Sequence, residues 1–196
     1  MALETRNVCA RAWTWFVAAV VFIAEVLESF LGFKEEDGLR EKGIKTADFA
    51  VRRAIYLGID YGLILLSLLI GVTMKALGFS LLGMFIALWI FDFVVAGFFV
   101  VIYEVTGKDL SLGEDFRRAT DTINGRSRVA GLLTTLGVIF IGIVWTGPEK
   151  VITFFRKEIG TTGRLVTVLT TLTAIQAFLY AALYNFAYDL AVRWLP

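Results

Sequence analysis

The sequence predicts an all-α protein: a polytopic integral membrane helical bundle with four or five transmembrane helices and an interfacial amphipathic helix near 148–159. Hydrophobic residues make up 58% of the 196 residues, the mean hydropathy is +0.74 and only 19% of the residues are charged, as is typical of membrane proteins. The apolar residues gather in blocks of about 20, the length with which an α-helix crosses a bilayer. No block alternates like a membrane β-strand, so residues 1–196 are expected to form a single transmembrane domain.

The first apolar block is the weakest of five, which are residues 12–33, 54–78, 80–104, 129–147 and 165–188. Glu25 and Glu28 shorten its uninterrupted apolar run. It therefore either spans the membrane behind the interfacial residues Trp13 and Trp15 or lies in the interface as an amphipathic helix. The other four blocks are predicted to cross the membrane.

Lysine and arginine are concentrated in two loops, with six in residues 34–53 and five in residues 105–128, against four in residues 148–164. Because cytoplasmic loops are enriched in these residues, loops 34–53 and 105–128 are predicted to be cytoplasmic. Two further crossings after residue 128 place the C-terminus on the same side. Acidic residues nearly balance the bases of both loops, which predicts solvated loops that bind no nucleic acid.

Residues 148–159, with the sequence PEKVITFFRKEI, predict the interfacial helix. Pro148 suits the first turn of a helix, and Glu149 suits its N-terminus. The segment has an apolar stripe opposite a basic face; the stripe is Val151, Phe154, Phe155 and Ile159, and the bases are Lys150, Arg156 and Lys157. We expect this helix to lie flat in the outer interface between the fourth and fifth spans.

The chain has no histidine and a single cysteine, Cys9. These numbers exclude zinc sites built from cysteine and histidine, haem with histidine ligands and disulfides within the chain. The sequence also has no glycine-rich phosphate loop and no Gly-x-Ser-x-Gly motif. We therefore expect no enzyme, no metal site and no cofactor.

Four acidic residues within the apolar blocks are the candidate functional residues: Glu25, Glu28, Asp60 and Asp92. A carboxylate at the centre of a membrane costs about 2.5 to 3.5 kcal/mol on insertion scales, so it requires a partner, a proton or water. At ~1.5 Å per residue from the cytoplasmic end, Glu28 and Asp60 lie shallowest, Glu25 lies deeper and Asp92 lies deepest, at roughly 18 Å. Acids at graded depths predict an ion-binding site or proton pathway.

The same acids also have a structural interpretation. Arg53 could form a salt bridge with Asp60 or Glu28 at the cytoplasmic end, which leaves only Asp92 without an obvious basic partner. Gln176 is near the centre of the fifth block, at the depth of Asp92. We expect these two side chains to meet, either as a bond between helices or as part of a polar pathway.

Two functions from different classes are favoured over a third, an enzyme that modifies or binds lipid, which would need a polar cavity at the cytoplasmic interface beside Glu28 and Asp60. The chain is either a channel or transporter that conducts a monovalent cation or a proton through its intramembrane carboxylates, or a non-catalytic structural or assembly subunit of a larger membrane complex. The expected partners are the lipid bilayer and either further copies of the chain in a homo-oligomer or other membrane subunits.

Overall fold

The structure, a computed structural model, describes residues 2–34 and 36–194, with side chains for 14–34 and 36–193. The side chains of Cys9 and Trp13 thus lie outside the described part. Within it there are helices and no strands, and five helices are long and apolar enough to cross a membrane, which confirms the predicted all-α membrane bundle. The helices are α1 (Ala2–Leu31), α2 (Leu39–Ala76), α3 (Leu81–Thr106), α4 (Gly113–Arg126), α5 (Arg128–Ile141), α6 (Pro148–Phe154), α7 (Arg156–Ile159) and α8 (Thr162–Trp194).

Helix α3 shows how local sequence sets the limits of a crossing helix. The hydroxyl of Ser80 accepts a hydrogen bond from the backbone N–H of Gly83 and caps the start of the helix. At the other end Gly107 has a φ of 67°, a left-handed conformation that glycine adopts without strain. The 26 residues between these caps extend about 39 Å, enough to cross a hydrocarbon layer of about 30 Å.

Helices α2, α3 and α8 form the core of the bundle. The most extensive helix pair is α3 with α8, where two alanines of α8 allow close approach to two larger side chains of α3; these fully buried residues are Met84, Leu88, Ala177 and Ala181. At one end of the bundle, the amine of Lys75 on α2 lies 3.1 Å from the carboxylate of Asp189 on α8. The C-terminal ends of α2 and α8 are therefore neighbours.

Residues 128–159 form a hairpin that enters the bundle and returns. Helix α5 continues as a π-helical segment, Gly142–Thr146, and the chain then reverses at Gly147. On the returning arm the side chain of Val151 fills the space beside Gly142, where an added Cβ would lie 2.4 Å from its methyl group. The backbone carbonyl of Val144, near the tip, accepts a hydrogen bond of 3.1 Å from the hydroxyl of Tyr180 on α8. We call residues 128–159 the re-entrant hairpin.

Polar contacts hold the returning arm of the hairpin at the end of the bundle where α5 began. Arg117 of α4 donates to the carboxylate of Glu158 at 2.5 Å. Arg156 pairs with Glu104 at the end of α3. Helix α8 then starts from this end and crosses to the end that contains Lys75.

The prediction of an interfacial helix over 148–159 is therefore wrong. All seven residues of α6 are buried, and this helix packs between α3, α4 and α8. Glu149, expected at the N-terminus of that helix, and Lys150, expected on its basic face, are both buried in the bundle. The sequence also predicts the C-terminus beside loops 34–53 and 105–128. In the described residues the hairpin returns and α8 then runs the length of the bundle, so Arg193 lies at the end opposite these loops.

The prediction that loop 105–128 is merely solvated is wrong as well, since it contains α4 and a buried turn. The Asp109 carboxylate accepts hydrogen bonds from the N–H of Ser111, at 2.9 Å, and of Glu114, at 2.7 Å. This turn presents Gly113 to the backbone of α6, where an added Cβ would lie 2.4 Å from the carbonyl oxygen of Lys150. The loop is thus part of the support for the hairpin.

Helix α1 packs chiefly on α4. Arg118 donates hydrogen bonds to the carbonyl oxygens of Ser29 and Phe30 at the end of α1, at 3.1 and 3.2 Å. The ring of Phe30 packs edge-on against Phe116 of α4. Residues 14–21, by contrast, are exposed, so α1 contributes little to the core formed by α2, α3 and α8.

Candidate functional site

A cavity of about 50 Å³ lies where the tip of the re-entrant hairpin meets α2, α3 and α8. We call it the central cavity. One water molecule requires about 10 to 15 Å³ of such internal volume. The central cavity can therefore hold a few waters or one small ion. Six polar side chains line it: Asp60 and Ser67 from α2, Asp92 from α3, Glu149 from α6, and Gln176 and Tyr180 from α8.

Among the polar side chains of the central cavity, Asp92 has the fewest protein partners to offset the cost of its burial. The residue is only 9% exposed, and it lies halfway along α3. Its Oδ2 atom is buried and has no hydrogen-bond partner among the described residues. No lysine or arginine of the described chain forms an ion pair with it. The carboxyl group therefore faces the cavity without a protein partner for one oxygen.

Glu149 is held in the cavity wall by Tyr56 of α2. Both residues are buried, at 3% and 1% exposure. The Tyr56 hydroxyl lies 2.7 Å from Oε1 of Glu149 and 2.5 Å from the backbone carbonyl oxygen of Thr146. One hydroxyl thus connects α2 to both sides of the hairpin tip.

The tip exists because Gly147 and Pro148 interrupt the helix. Gly147 has φ 103° and ψ 145°, a conformation that residues with a side chain rarely adopt. Pro148 has no backbone N–H to continue the helical bonding but suits the first position of α6. Non-helical backbone at membrane depth is tolerated where protein surrounds it, and here Tyr56 satisfies the exposed carbonyl of Thr146.

Two cations lie on the other side of Tyr56, towards α4. The guanidinium of Arg53 is 5.8 Å from the centre of the Tyr56 ring, and the amine of Lys150 is 5.5 Å from it. Lys150 is also 5.5 Å from the ring centre of Phe116. These distances are within the range of cation–π attraction. Tyr56 therefore contacts two cations with its ring and Glu149 with its hydroxyl.

A second set of charged residues, between α4 and α2, supports the hairpin. Asp115 of α4 is buried, pairs with Arg118 and lies 3.7 Å from Arg52. Burial raises the pKa of Asp115 above its ordinary value, while the two arginines act in the opposite direction. Because these partners surround it, Asp115 serves as an anchor between α4 and α2.

The structure brings together three of the five residues predicted to form the ion-binding site or proton pathway: Asp60, Asp92 and Gln176. Asp92 and Gln176 line the same cavity, although no hydrogen bond between them is found in the described part of the chain. Glu25 and Glu28 lie elsewhere on α1: Glu25 pairs with Arg126, and Glu28 lies 2.9 Å from the amine of Lys42.

The alternative pairing of Arg53 with Asp60 or Glu28 is not found among the described ion pairs. Arg53 instead lies over Tyr56, and its Nη1 atom is buried without a hydrogen-bond partner in the described part. Asp60 is half-buried and faces the central cavity. In the described structure Asp60 therefore lacks the salt bridge with Arg53 that would explain its position in the apolar block.

Sequence reasoning missed Glu149 and Tyr56. The sequence predicts Glu149 at the N-terminus of an interfacial helix, because Pro148 and an acidic residue suit the start of a helix and the following residues are amphipathic. One signal could have identified the hairpin: the four bases of residues 148–164 are unexpected outside the cytoplasm and fit a segment that returns to the inner side.

Among the described residues, no group of three or more cysteine, aspartate or glutamate side chains is placed to hold a metal ion. The carboxylates thus share the wall of a cavity without forming a compact metal-ligand cluster. Comparison of the chain with protein-family models, curated proteins and solved structures finds no match.

Proposed function

We propose that this chain transports a proton or a monovalent cation across the membrane through the central cavity. The observation that carries this proposal is the burial of Asp92, which lines a cavity of about 50 Å³ and whose Oδ2 atom has no hydrogen-bond partner in the described structure. Two further carboxyl groups, from Asp60 and Glu149, reach the same cavity from different helices.

Energetics support a transport role for these acids. An uncompensated carboxylate at mid-membrane is expensive, and such residues commonly mark ion pathways or proton relays. Asp92 has no ion pair in the described part of the chain, so water, a proton or a cation in the cavity must offset its burial. The broken helix beside it is a further support, because interrupted helices line the sites of many membrane transporters.

We also propose that the end of the bundle with loops 34–53 and 105–128 faces the cytoplasm. The hairpin returns residues 148–164 to this same end. Together these three segments carry fifteen of the nineteen lysines and arginines, whereas Lys75 and Arg193 lie at the other end. The asymmetry follows the rule that basic residues accumulate on the cytoplasmic side, and the C-terminus then faces outwards.

A second candidate function, an assembly or structural subunit, is favoured by helix α1. Residues 14–21 of this helix are exposed, and among them Trp15 is 77% exposed. Ile23, two residues beyond this stretch, is 56% exposed. An apolar helix that exposes these described residues offers a surface to another copy or another membrane subunit. This surface is compatible with transport by an oligomer.

The experiment that tests transport is flux into proteoliposomes that contain the purified full-length chain. A pH-sensitive dye and cation-sensitive dyes report flux under an imposed membrane potential. We expect Asp92→Asn to reduce the flux at least about tenfold, the effect of about 1.4 kcal/mol on a barrier. Glu28→Gln is the matched control, because Glu28 lies outside the cavity and pairs with Lys42.

Transport is refuted if wild-type flux equals that of protein-free liposomes. Equal flux in wild type and Asp92→Asn would place the pathway elsewhere. Co-purification of stoichiometric foreign subunits together with absent flux would support the assembly function instead.

A further inference from the structure

The Tyr56 hydroxyl has more acceptors than it has hydrogens. It carries one hydrogen, yet it lies within hydrogen-bond distance of the Thr146 carbonyl, at 2.5 Å, and of Glu149 Oε1, at 2.7 Å. A carbonyl oxygen only accepts, and an ionised carboxylate also only accepts. With Glu149 ionised, one of the two contacts would bring together two oxygens with no hydrogen between them.

Both contacts become hydrogen bonds when Glu149 carries a proton. The carboxyl O–H then donates to the Tyr56 oxygen, and the Tyr56 O–H donates to the Thr146 carbonyl. The surroundings agree with a neutral acid, since Glu149 is 3% exposed and no described lysine or arginine forms an ion pair with it. Its neighbour in sequence, Lys150, places its amine over the Tyr56 and Phe116 rings instead. An isolated buried carboxylate would be much more costly.

We propose that Glu149 is a proton-binding site, and that its bound proton holds the tip of the re-entrant hairpin against α2. This inference rests on the proposed transport function and narrows it, because it names the proton as the transported ion. It also assigns the proton to the hairpin, an element that carries none of the acids expected from the sequence.

Release of the proton changes the hydrogen bonds in a defined way. The O–H bond of Glu149 breaks, and the proton passes through cavity water to the carboxylate of Asp92, so that one acid becomes ionised as the other becomes neutral. The single Tyr56 hydrogen then turns to the charged oxygen of Glu149, because hydrogen bonds to charged acceptors are stronger. The Thr146 carbonyl loses its donor, and the tip of the hairpin is less firmly held.

The groups that face Glu149 set the balance of this transfer. Asp60 and Asp92 oppose the appearance of a second negative charge in the cavity, whereas Lys150 and Arg53 favour it. Of the other packed elements, α8 contributes Tyr180 to the same cavity. The acids Asp115 of α4 and Glu158 of α7 are paired with Arg118 and Arg117 instead.

Infrared spectroscopy of the full-length chain in lipid membranes tests the proton directly. We expect a carboxylic acid band at neutral pH that shifts when all glutamates carry ¹³C in the side-chain carboxyl group, which separates glutamate from aspartate. The band disappears in Glu149→Gln and changes frequency in Tyr56→Phe. Glu158→Gln, on the same hairpin but paired with Arg117, leaves it unchanged. The inference is overturned if no glutamic acid band exists, or if the band persists in Glu149→Gln.

Hydrogen exchange of the backbone amides of residues 142–151 tests the coupling to the hairpin. As pH rises through proton release, we expect exchange in the wild type to accelerate roughly fivefold beyond the intrinsic pH effect, the consequence of losing one hydrogen bond. Glu149→Gln keeps a neutral donor and should show only the intrinsic effect, while Tyr56→Phe should exchange faster at every pH. Identical pH profiles in all three proteins would overturn the coupling.

These readouts separate the inference from the proposed function. A glutamic acid band that depends on Glu149, in a protein without flux, would leave the proton site intact and reject transport. Cation flux without any proton on Glu149 would support transport and reject the inference. If Glu149→Gln fails to fold, the isotope shift in the wild type and the band of the Tyr56→Phe variant still show whether Glu149 carries a proton.

Discussion

The carboxylate of Glu149 occupies the space that a side chain at Gly147 would need. A Cβ atom built on Gly147 would lie 2.4 Å from both carboxylate oxygens, so the turn and the proposed proton site depend on the same small volume. The missing side chain at Gly147 allows Glu149 to fold back towards Tyr56. The break in the helix and the position of the acid are therefore one structural feature.

Gly147→Ala should consequently destabilise the protein and abolish flux. The residue combines a positive φ of 103° with a steric conflict, so we expect the free energy of unfolding to fall by at least about 2 kcal/mol. Gly137→Ala is the matched control, because Gly137 lies within α5 with no atom within 4 Å of an added Cβ. It should raise stability by roughly 0.5 to 1 kcal/mol, as alanine favours helix more than glycine does. Thermal unfolding in detergent measures both, and equal effects would contradict the geometry of the tip.

Asp92→Asn should separate function from stability. Because Oδ2 of Asp92 has no hydrogen-bond partner in the described structure, loss of its charge removes a desolvation cost and no bond to that atom. We expect the free energy of unfolding to stay constant or to rise by about 1 to 3 kcal/mol, while flux is lost. A clear fall in stability, measured by chemical or thermal unfolding, would instead indicate a structural bond made by Asp92.

The re-entrant hairpin predicts which ends of the chain share a compartment. Single cysteines can be introduced at Lys108, Lys157 and Arg193 in a Cys9→Ser background and treated with a membrane-impermeant thiol reagent. The cysteines at 108 and 157 should react from one side of sealed vesicles, and the cysteine at 193 from the other. Reaction of positions 108 and 193 from the same side would mean that residues 128–159 cross the membrane completely.

Acid should weaken the base of the hairpin through Glu158. The adjacent Arg117 guanidinium lowers the pKa of Glu158, so ionised Glu158 stabilises the folded state at any pH above its ordinary pKa. That stabilisation is lost as the pH falls through the lower, folded-state pKa. The effect should be below about 1 kcal/mol, because the Glu158 side chain is 53% exposed.

Thermal unfolding from neutral to acidic pH measures this effect as the difference between wild type and Glu158→Gln. The difference should be constant near neutral pH and should vanish in acid. Glu41→Gln on the exposed start of α2 serves as a control for the general effect of losing one negative charge. A difference that grows in acid would contradict the predicted sign.

The sequence predicts the helices better than it predicts their arrangement. The length of each apolar block indicates α2, α3 and α8, and the cost of burying charge identifies Asp92 as an unusual residue. Depth along a helix also predicts Asp92 and Gln176 at one level, and both line the central cavity, although no hydrogen bond joins them in the described structure. Depth does not determine the lateral position of a helix, however, so Glu25 was grouped with these residues although α1 packs on α4.

The hairpin could not be predicted from hydropathy alone. Residues 129–147 are as long and apolar as a complete span, and the sequence of α6, with Glu149 and Lys150 in its first turn, resembles the start of an interfacial helix. What distinguishes the two arrangements is contact between distant segments, such as that between Arg117 and Glu158 or between Tyr56 and Thr146. In the sequence, only the unequal distribution of lysine and arginine indicates that residues 148–164 return to the end of the bundle with the basic loops.

The attachments of the hairpin differ between its two ends. The ion pairs Arg117–Glu158 and Arg156–Glu104 hold its returning arm at the end of the bundle, while its tip is held by the hydroxyls of Tyr56 and Tyr180. The hairpin is therefore held by ion pairs at its base and by hydroxyl hydrogen bonds at its tip. A tilt of α4 by a few degrees would thus move Glu149 relative to Asp92. A molecule that binds to α4 could therefore control the protonation of Glu149 without contacting that residue.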